Sequence, residues 1–351
     1  MDKDKRCLVA LSGGVDSTVA AYLLKKQGYH LEGMYLELLD QGFEKRVAHQ
    51  KEIVKEVGRR LGIRVHYLDK RKEFHRAVVG YFISTYKKGL TPNPCVFCNP
   101  TIKFKAGLEF SKKLGLYYFA TGHYARILPH PRFGHVLLKG VDSKKDQSYF
   151  LHRLNPQWLE RILFPLGRQT KQTIRQIAKK TGLSGMVSEE SQEVCFIHGD
   201  YREIIGKPPQ KEGPIILKRE GKLMGTHAGI FNYTVGQRRG LGIPGPEPYY
   251  VIELDLDKNC VYIGTKEETF RRDFSVQDIN WLVPKEYVLG QRIFIKVRSR
   301  HKEAPGVITE DQGAIQGYKV ICEAPQSAVT PGQAAVFYDE HMVLGGGTIC
   351  W

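Results

Sequence analysis

The sequence predicts an α/β domain, with a parallel sheet wrapped by helices, followed by two β-rich domains. Two observations support this fold class. Apolar strand patterns alternate with helical patterns up to about residue 200, which is typical of a parallel sheet. Beyond Ile205, glycine and proline become frequent and separate short apolar runs, which is typical of all-β domains. A chain of 351 residues is long enough for two or three domains.

The elements follow from these patterns in chain order. The first strands are expected at RCLVAL, HLEGMYLEL, RVHYLD and LYYFATGHYA, and helices at 18–27, 48–61, 72–88 and 104–114. Later strands are expected at PIILK, YYVIELD, CVYIG, RIFIKVR, YKVICE and AAVFYD. We therefore expect an α/β domain at 1–204, a small central β-rich domain at 205–275 and a C-terminal β-barrel at 276–351, with the second join near FSVQDINWLVP.

The charge of the chain points to a polyanionic partner. Lysine and arginine number 53 against 37 acidic residues, which gives a net charge of +16 and favours nucleic acid. No apolar stretch approaches the roughly 20 residues that span a bilayer, and MDKDKR followed by a short strand does not resemble a signal peptide. We expect a cytoplasmic protein without a membrane partner. Seven cysteines in such a chain argue against a secreted disulfide framework.

The first chemical motif is LSGGVDS, between the first predicted strand and helix. The backbone amides of Ser12, Gly13, Gly14 and Val15 are expected to converge on phosphate oxygens at the positive end of the helix. Asp16 is a poor neighbour for bare phosphate, so a magnesium ion is expected between them. The motif lacks the Gly-Lys-Ser/Thr ending of γ-phosphate-transferring loops. It resembles instead the PP-loop of ATP pyrophosphatases, which split ATP between its α and β phosphates.

The second motif is TPNPCVFCNPTIKF, in which Cys95 and Cys98 form a CxxC pair. Such a pair can belong to a zinc site, a redox pair, a cluster site or a nucleophile with a neighbour. Neither a second CxxC nor a well-spaced histidine pair follows, which disfavours a structural zinc site. Cys195 is the other cysteine in a motif-like setting, SEESQEVCFIHGDY. The remaining cysteines lie in or beside apolar strand patterns and are expected to be buried: Cys7, Cys260, Cys322 and Cys350.

Together, the motifs LSGGVDS, TPNPC..CN..IKF, ATGHYA, KDQSYFL, CFI, FNYTVGQRRGLGI and PGQAAVFY resemble the tRNA-specific 2-thiouridylases, in the family's order and over nearly the whole chain. The resemblance implies a Rossmann-like PP-loop domain and a tRNA-uridine 2-sulfurtransferase. ATP would adenylate the C2 oxygen of the wobble uridine, position 34, and a protein persulfide would displace AMP. By position Cys98 matches the catalytic nucleophile and Cys195 the persulfide carrier, which implies a disulfide between them that is reduced in each turnover.

The chain departs from the family pattern at Cys95, where many members carry aspartate. Two sulfur routes therefore stay open. Cys95, Cys98 and Cys195 either hold a [4Fe-4S] cluster whose fourth iron binds a sulfide, or the persulfide route works without a cluster and Cys95 is a bystander. Pro100 is a second departure, since the family often has lysine there.

The resemblance also implies two sets of binding residues and the partners that they serve. The ATP-Mg²⁺ site would use Ala10, Leu11, Ser12, Gly13, Gly14, Val15, Asp16, Ser17, Leu36 and Gly122. Contacts to the anticodon stem-loop would come from Asn93, Pro94, Cys95, His123, Lys145, Asp146, Gln147, Arg298, Arg300, His301 and Gln333. In KVRSRHK, Lys296, Arg298 and Arg300 are expected to alternate on one face of a strand. The sulfur donor would be a persulfide-donating carrier or a cysteine desulfurase.

Two other function classes remain as alternatives. A PP-loop synthetase that acts on a small metabolite would release AMP and pyrophosphate without tRNA. A non-enzymatic iron–sulfur or RNA-binding protein would bind tRNA without consuming ATP.

Overall fold

The computed structural model describes residues 5–40, 42–183, 194–197, 204, 211–311 and 317–350. The chain forms two compact units. The first comprises Met1–Val78, Cys95–Phe196 and His341–Val343, and the second Val79–Pro94, Ile197–Glu340 and Leu344–Trp351. In the described part of the chain, no helix is both long and apolar enough to cross a membrane.

The first unit is built on a parallel sheet. Its strands are β1 Arg6–Ala10, β2 His30–Glu37, β3 Arg64–Asp69, β4 Tyr118–Ala120, β5 Ala125–His130, β6 Gly134–Lys139 and β7 Ile162–Leu163. Five of them form the sheet in the order β3-β2-β1-β4-β7, and all neighbours are parallel. β5 and β6 form an antiparallel hairpin that the sequence patterns do not predict. The centre of β1 is fully buried, as expected for a middle strand covered on both faces.

Helices occur in all four regions where the sequence predicts them, although their ends differ. They are α1 Val15–Lys26, α2 Glu44–Leu61, α3 Arg71–Phe74, α4 Gly80–Lys87, α5 Pro94–Cys98, α6 Lys105–Lys113 and α7 Lys171–Lys180, with π-helical turns at His75–Val79 and Asn99–Phe104. The helix expected from residue 104 already begins at Pro94. Proline suits a first helical turn, and the π-turn accommodates Pro100, which has no N–H to donate. Short 3₁₀ turns occupy Ser148–Leu151, Pro156–Arg161, Ile230–Asn232, Glu267–Thr269 and Lys285–Tyr287.

The second unit is β-rich. A four-stranded sheet, ordered β10-β11-β8-β9, consists of β8 Gly213–Leu217, β9 Lys222–His227, β10 Tyr250–Asp255 and β11 Cys260–Gly264. The barrel strands are β12 Phe270–Trp281, β13 Ile293–Lys296, β14 Ala304–Asp311, β15 Gly317–Ser327, β16 Ala334–Asp339 and β17 Met342–Cys350. Pairing of β12 with β17 closes this antiparallel barrel. The predicted fold class is confirmed, although the join predicted between residues 275 and 276 falls inside β12.

Candidate active site

The LSGGVDS loop lies at the carboxyl end of β1, where β2 flanks β1 on one side and β4 on the other. Ligands of open α/β sheets bind at such a switch point in strand order. Gly14 is the N-cap of α1, and Gly13 has a φ of +78°, a conformation that favours glycine. The fold therefore directs the positive end of α1 to the place where the sequence predicts phosphate.

The loop is also bonded to itself. The Ser12 amide donates to Ser17 Oγ at 3.1 Å, and the Gly14 amide donates weakly to Ser12 Oγ at 3.4 Å. Ser17 Oγ in turn donates to the Gly14 carbonyl at 3.0 Å. Two of the four amides predicted to face phosphate thus have partners inside the loop, which keeps the turn ordered before a nucleotide arrives.

Asp16 has a partner that no sequence motif identifies. The Lys171 ammonium donates to both carboxylate oxygens of Asp16, at 2.8 and 2.7 Å, and Tyr124 Oη donates to Oδ1 at 2.7 Å. The Lys171 side chain is only 7% exposed and that of Asp16 is 26% exposed. A buried ammonium thus balances the charge of Asp16 before any ligand binds. The magnesium ion that the sequence suggests between Asp16 and phosphate stays a prediction.

Gly122 follows β4 and packs directly on the loop. A Cβ at this position would lie 2.9 Å from both the Asp16 carbonyl carbon and the Ser17 nitrogen. Real Cβ atoms do not approach backbone so closely, so glycine is needed here for steric reasons. Of the other predicted nucleotide residues, Leu11 is buried, whereas Leu36 on β2 is partly accessible.

His123 adjoins Gly122 and is held by polar and aromatic contacts. Its Nδ1 hydrogen-bonds Thr121 Oγ1 at 2.7 Å, and its ring lies 5.7 Å from that of Phe104 and 5.9 Å from that of Phe164. Burial, with a smaller contribution from Lys103, lowers the pKa of His123 well below its usual value. The imidazole is therefore neutral at physiological pH.

The three motif cysteines lie in one crowded region of the first unit. Burial raises the pKa of Cys98 to about 12, and the neighbouring Cys195 and Cys95 add to that rise. Burial also raises the pKa of half-buried Cys195. Cys95 is solvent-exposed, yet desolvation by its surroundings raises its pKa too. All three are free thiols.

Lys103 is the cation that these thiols share. Its ammonium lowers the pKa of each of the three cysteines, against the larger effect of burial. Cys98 immediately precedes the π-turn Asn99–Phe104, which carries Lys103. The two residues are therefore five positions apart, i and i+5. Such residues lie on different faces of an α-helix, whereas the i to i+5 bonding of a π-turn brings them to one face. The π-turn therefore explains how Lys103 reaches the thiols.

Helix α2 contacts both the phosphate loop and the thiol region. Arg46 Nη1 donates to the Cys195 carbonyl at 3.3 Å and lowers the pKa of that thiol. One helical turn further on, the Gln50 carbonyl lies 3.5 Å from the position of a Cβ on Gly13. Residues four apart share one face of a helix. Arg46 and Gln50, which sequence reasoning missed, thus connect the two motifs through one element.

The described residues do not fit a metal cluster. Among them, no group of three or more His, Cys, Asp or Glu side chains is arranged to hold a metal ion. We therefore derive no step through iron.

The loop that carries Lys145, Asp146 and Gln147 uses two of these side chains internally. Asp146 Oδ1 accepts from the amides of Gly140 and Ser148, at 2.9 and 3.1 Å. Gln147 Oε1 accepts from the Tyr124 amide at 2.9 Å. These two residues shape the loop, and their oxygens are engaged without RNA.

Two residues of the second unit that the sequence predicts to bind RNA also have structural partners. Gln333 Nε2 donates to the carbonyls of Thr91 and Pro92, at 3.3 and 3.2 Å, and so supports the segment that leads to Asn93 and Pro94. Arg298 donates to the Val235 carbonyl at 3.0 Å and to Thr330 Oγ1.

The predicted basic strand is wrong beyond Lys296. β13 ends there, because the chain turns and the His301 amide bonds the Arg298 carbonyl at 3.1 Å. Arg300 is exposed after this turn, and burial and nearby cations lower the pKa of His301. The three basic residues therefore do not share one strand face.

Three family models match the chain. They are described as the tRNA methyl transferase HUP domain, over residues 5–199, the tRNA methyl transferase PRC-barrel domain, over 204–265, and the Aminomethyltransferase beta-barrel domain, over 271–349. The "tRNA-specific 2-thiouridylase MnmA" of Syntrophotalea carbinolica is 43% identical, over 99% of both chains. That of Symbiobacterium thermophilum is 40% identical, over 98% of this chain and 92% of its own length.

A solved structure, "U34-tRNA thiolase NcsA from Methanococcus maripaludis with its [4Fe-4S] cluster", is more remote. It aligns with a TM-score of 0.35 and 17% identity, over 58% of this chain and 65% of its own. A likeness this weak says nothing about the site.

Proposed function

The chain belongs to the tRNA-specific 2-thiouridylase family, and on that premise we propose that it thiolates C2 of the wobble uridine, position 34, of tRNA. It is a tRNA sulfurtransferase that uses ATP through its PP-loop. The wobble position and the individual steps below are the proposed part. The cytoplasm, where tRNA is modified, stays the predicted compartment.

One observation supports the proposal most strongly: packing contacts and chain neighbours link the phosphate loop to the thiols within a single unit. Gly122 packs on Asp16 and Ser17, and His123 follows it and packs on Phe104. Phe104 ends the π-turn that Cys98 caps. Adenylation modifies the oxygen on C2 and sulfur attacks C2 itself, so the two sets of groups have to adjoin.

The first step is adenylation. The uridine O2 attacks the α-phosphorus of ATP, the P–O bond to pyrophosphate breaks, and the C2 oxygen becomes part of a good leaving group. ATP enters as its magnesium complex, with the metal as part of the substrate. In this step the end of α1 and the amides of the loop bind phosphate, while Lys171 keeps Asp16 from repelling it.

The second step transfers sulfur. A persulfide on Cys195, loaded by a sulfur carrier or a desulfurase, attacks C2 with its terminal sulfur, and AMP leaves. The Cys98 thiolate then attacks Cys195 Sγ, which breaks the Cys195–sulfur bond and releases 2-thiouridine with a Cys98–Cys195 disulfide. An external dithiol reduces that disulfide. Lys103 and Arg46 favour the thiolates that these attacks require.

A thiolation assay tests the proposal. Iron-free protein is incubated anaerobically with tRNA, ATP and a persulfide donor, and thiolated tRNA is detected by its retardation on a mercury gel. We expect Cys98→Ser and Cys195→Ser to abolish the product, and Cys95→Ser and the matched control Cys350→Ser to retain it. Thiolation only after a cluster is rebuilt, with Cys95 required, would establish the iron route instead. Release of AMP and pyrophosphate without tRNA would indicate a metabolite synthetase.

A further inference from the structure

A basic groove runs along α7 beside the loop at residues 142–145, and the proposed chemistry does not account for it. The groove has a volume of about 400 Å³. Five cations and one acid line it: Lys144, Lys145, Lys171, Arg175, Lys179 and Asp142. We call it the α7 groove.

The helix that forms one wall is strongly amphipathic. Lys171, Ile174 and Ala178 are buried, whereas Arg175 and Lys179 are exposed, together with Gln172 and Gln176. These exposed positions share one face, and at about 1.5 Å per residue they extend for roughly 10 Å along the axis. An open stripe of this length suits a chain of phosphates better than one small anion.

The other wall is held in place before any ligand binds. Asp142 Oδ2 accepts from the amide of Lys171, the first residue of α7, at 2.9 Å. Its Oδ1 accepts from the Lys144 amide at 3.1 Å. Asp142 is therefore engaged by two amides, and it connects the loop at residues 142–145 to the start of α7. Asp146 braces the same loop through Gly140 and Ser148.

The groove adjoins the phosphate loop at one end. Lys171 lines it and donates to Asp16 of the loop, with an N–O distance of 2.7 Å. A strand that follows α7 therefore passes the place where adenylation is proposed to occur.

We propose that the α7 groove binds the sugar–phosphate backbone of the tRNA next to the nucleotide that is modified, an inference that rests on the proposed function. Phosphate contacts fix the register and orientation of a nucleic acid on a protein. Arg175 and Lys179 on the helix and Lys144 and Lys145 on the loop supply those contacts from two sides. Asp142, Asp146 and Gln147 are positioning residues that hold the loop and do not read the RNA.

Binding of unmodified tRNA, measured by filter retention from 50 to 250 mM salt, tests the proposal. Arg175→Gln with Lys179→Gln should weaken binding roughly tenfold at the lowest salt. The slope of log affinity against log salt should fall by about 0.7 to 0.9 for each cation–phosphate pair that the substitutions remove. Lys144→Gln, on the opposite wall, should lower the slope by the amount expected for one cation–phosphate pair. Lys180→Gln is the matched control, because Lys180 is exposed on the same helix and does not line the groove.

Suppose that wild-type protein binds and thiolates tRNA but the groove variants show an unchanged slope. That result would overturn the proposal that the α7 groove binds tRNA and would leave the proposed function intact. Wild-type protein that binds no tRNA would overturn both. If the variants keep their tRNA affinity but lose thiolation only with a protein persulfide donor, and not with a small-molecule donor, the groove is a protein docking surface and the proposal is wrong.

Discussion

At Cys98, burial and positive charge act on one thiol in opposite directions. Burial raises its pKa to about 12, and Lys103 moderates that rise. In the protein without substrate the thiol is therefore protonated at neutral pH, which protects it from oxidation. The fraction of Cys98 that is present as the reactive thiolate therefore depends on the positive charge of Lys103.

Removal of that charge should make Cys98 less reactive. Lys103→Met should slow alkylation of Cys98 by iodoacetamide about three- to tenfold at pH 8, because the thiolate fraction falls as the pKa rises. The rate is measured for each cysteine by mass spectrometry of its peptide. Lys103→Arg should restore most of it, and Lys105→Met, an exposed neighbour, should leave it unchanged. An unaltered rate in Lys103→Met would show that the ammonium does not act on Cys98.

Lys171 offers a second test at single residues. Lys171→Met leaves Asp16 without its ammonium beside the phosphate site, so ATP affinity in the absence of tRNA should fall about tenfold or more. The double variant Lys171→Met, Asp16→Asn should recover part of that loss, since it removes the uncompensated carboxylate. Titration calorimetry with a non-hydrolysable ATP analogue measures both effects. If the effects of the two substitutions on ATP affinity simply add in the double variant, the pairing of Lys171 with Asp16 would be contradicted.

The sequence identified the site residues that lie within contiguous motifs and missed those that reach it from elsewhere. Ser12 to Ser17, Gly122, Cys98 and Cys195 stand in recognisable runs. Lys171 is 155 positions from Asp16, and Arg46 is 149 from Cys195. Pairings this distant in sequence arise from tertiary packing and leave no local pattern.

Among the elements, the junction of β4 with the phosphate loop leaves no room for a side chain at Gly122. Gly122→Ala places a methyl carbon within 2.9 Å of backbone atoms of Asp16 and Ser17, so the loop has to shift. We expect ATP affinity to fall at least about tenfold while far-UV circular dichroism stays unchanged, since the clash is confined to one loop. Wild-type ATP affinity in this variant would show that the loop is not held against β4 as described.

Element prediction failed where strands carry charge or glycine. β12 reads FRRDFSVQDINW, and few of its residues are buried, so its apolar alternation is weak. β17 contains three consecutive glycines, a composition that is typical of a loop. In the structure, however, a Cβ at the first of them, Gly345, would lie 2.5 Å from the Asn280 carbonyl oxygen of β12. The close approach of β12 and β17 requires glycine there. The pairing that closes the barrel, and not local propensity, makes these segments strands.

For the molecule as a whole, stability should depend on pH through a buried histidine. His152 is fully buried, its Nδ1 donates to the Tyr149 carbonyl at 2.7 Å, and burial lowers its pKa to about 3. The unfolded chain binds a proton below about pH 6.5 and the folded chain does not, so stability is lost as pH falls from 6.5 towards 3.

We expect His152 to contribute a loss of up to about 1.4 kcal/mol per pH unit in the free energy of unfolding. Urea unfolding at pH 7 and pH 5.5 measures it. Fluorescence of Trp158 reports on the first unit when Trp281 and Trp351 are replaced by phenylalanine. His152→Asn should show a smaller loss between the two pH values, and an equal loss would assign the effect to other groups.

Sulfur transfer through Cys98 and Cys195 leaves a covalent product that a single turnover reveals. Iron-free protein loaded with persulfide is mixed anaerobically with tRNA and ATP, quenched with acid and alkylating reagent, and mapped as non-reduced peptides. We predict a Cys98–Cys195 disulfide that accumulates in a one-to-one ratio with thiolated tRNA. Thiolated tRNA without this disulfide, or with a disulfide that contains Cys95, would contradict the account.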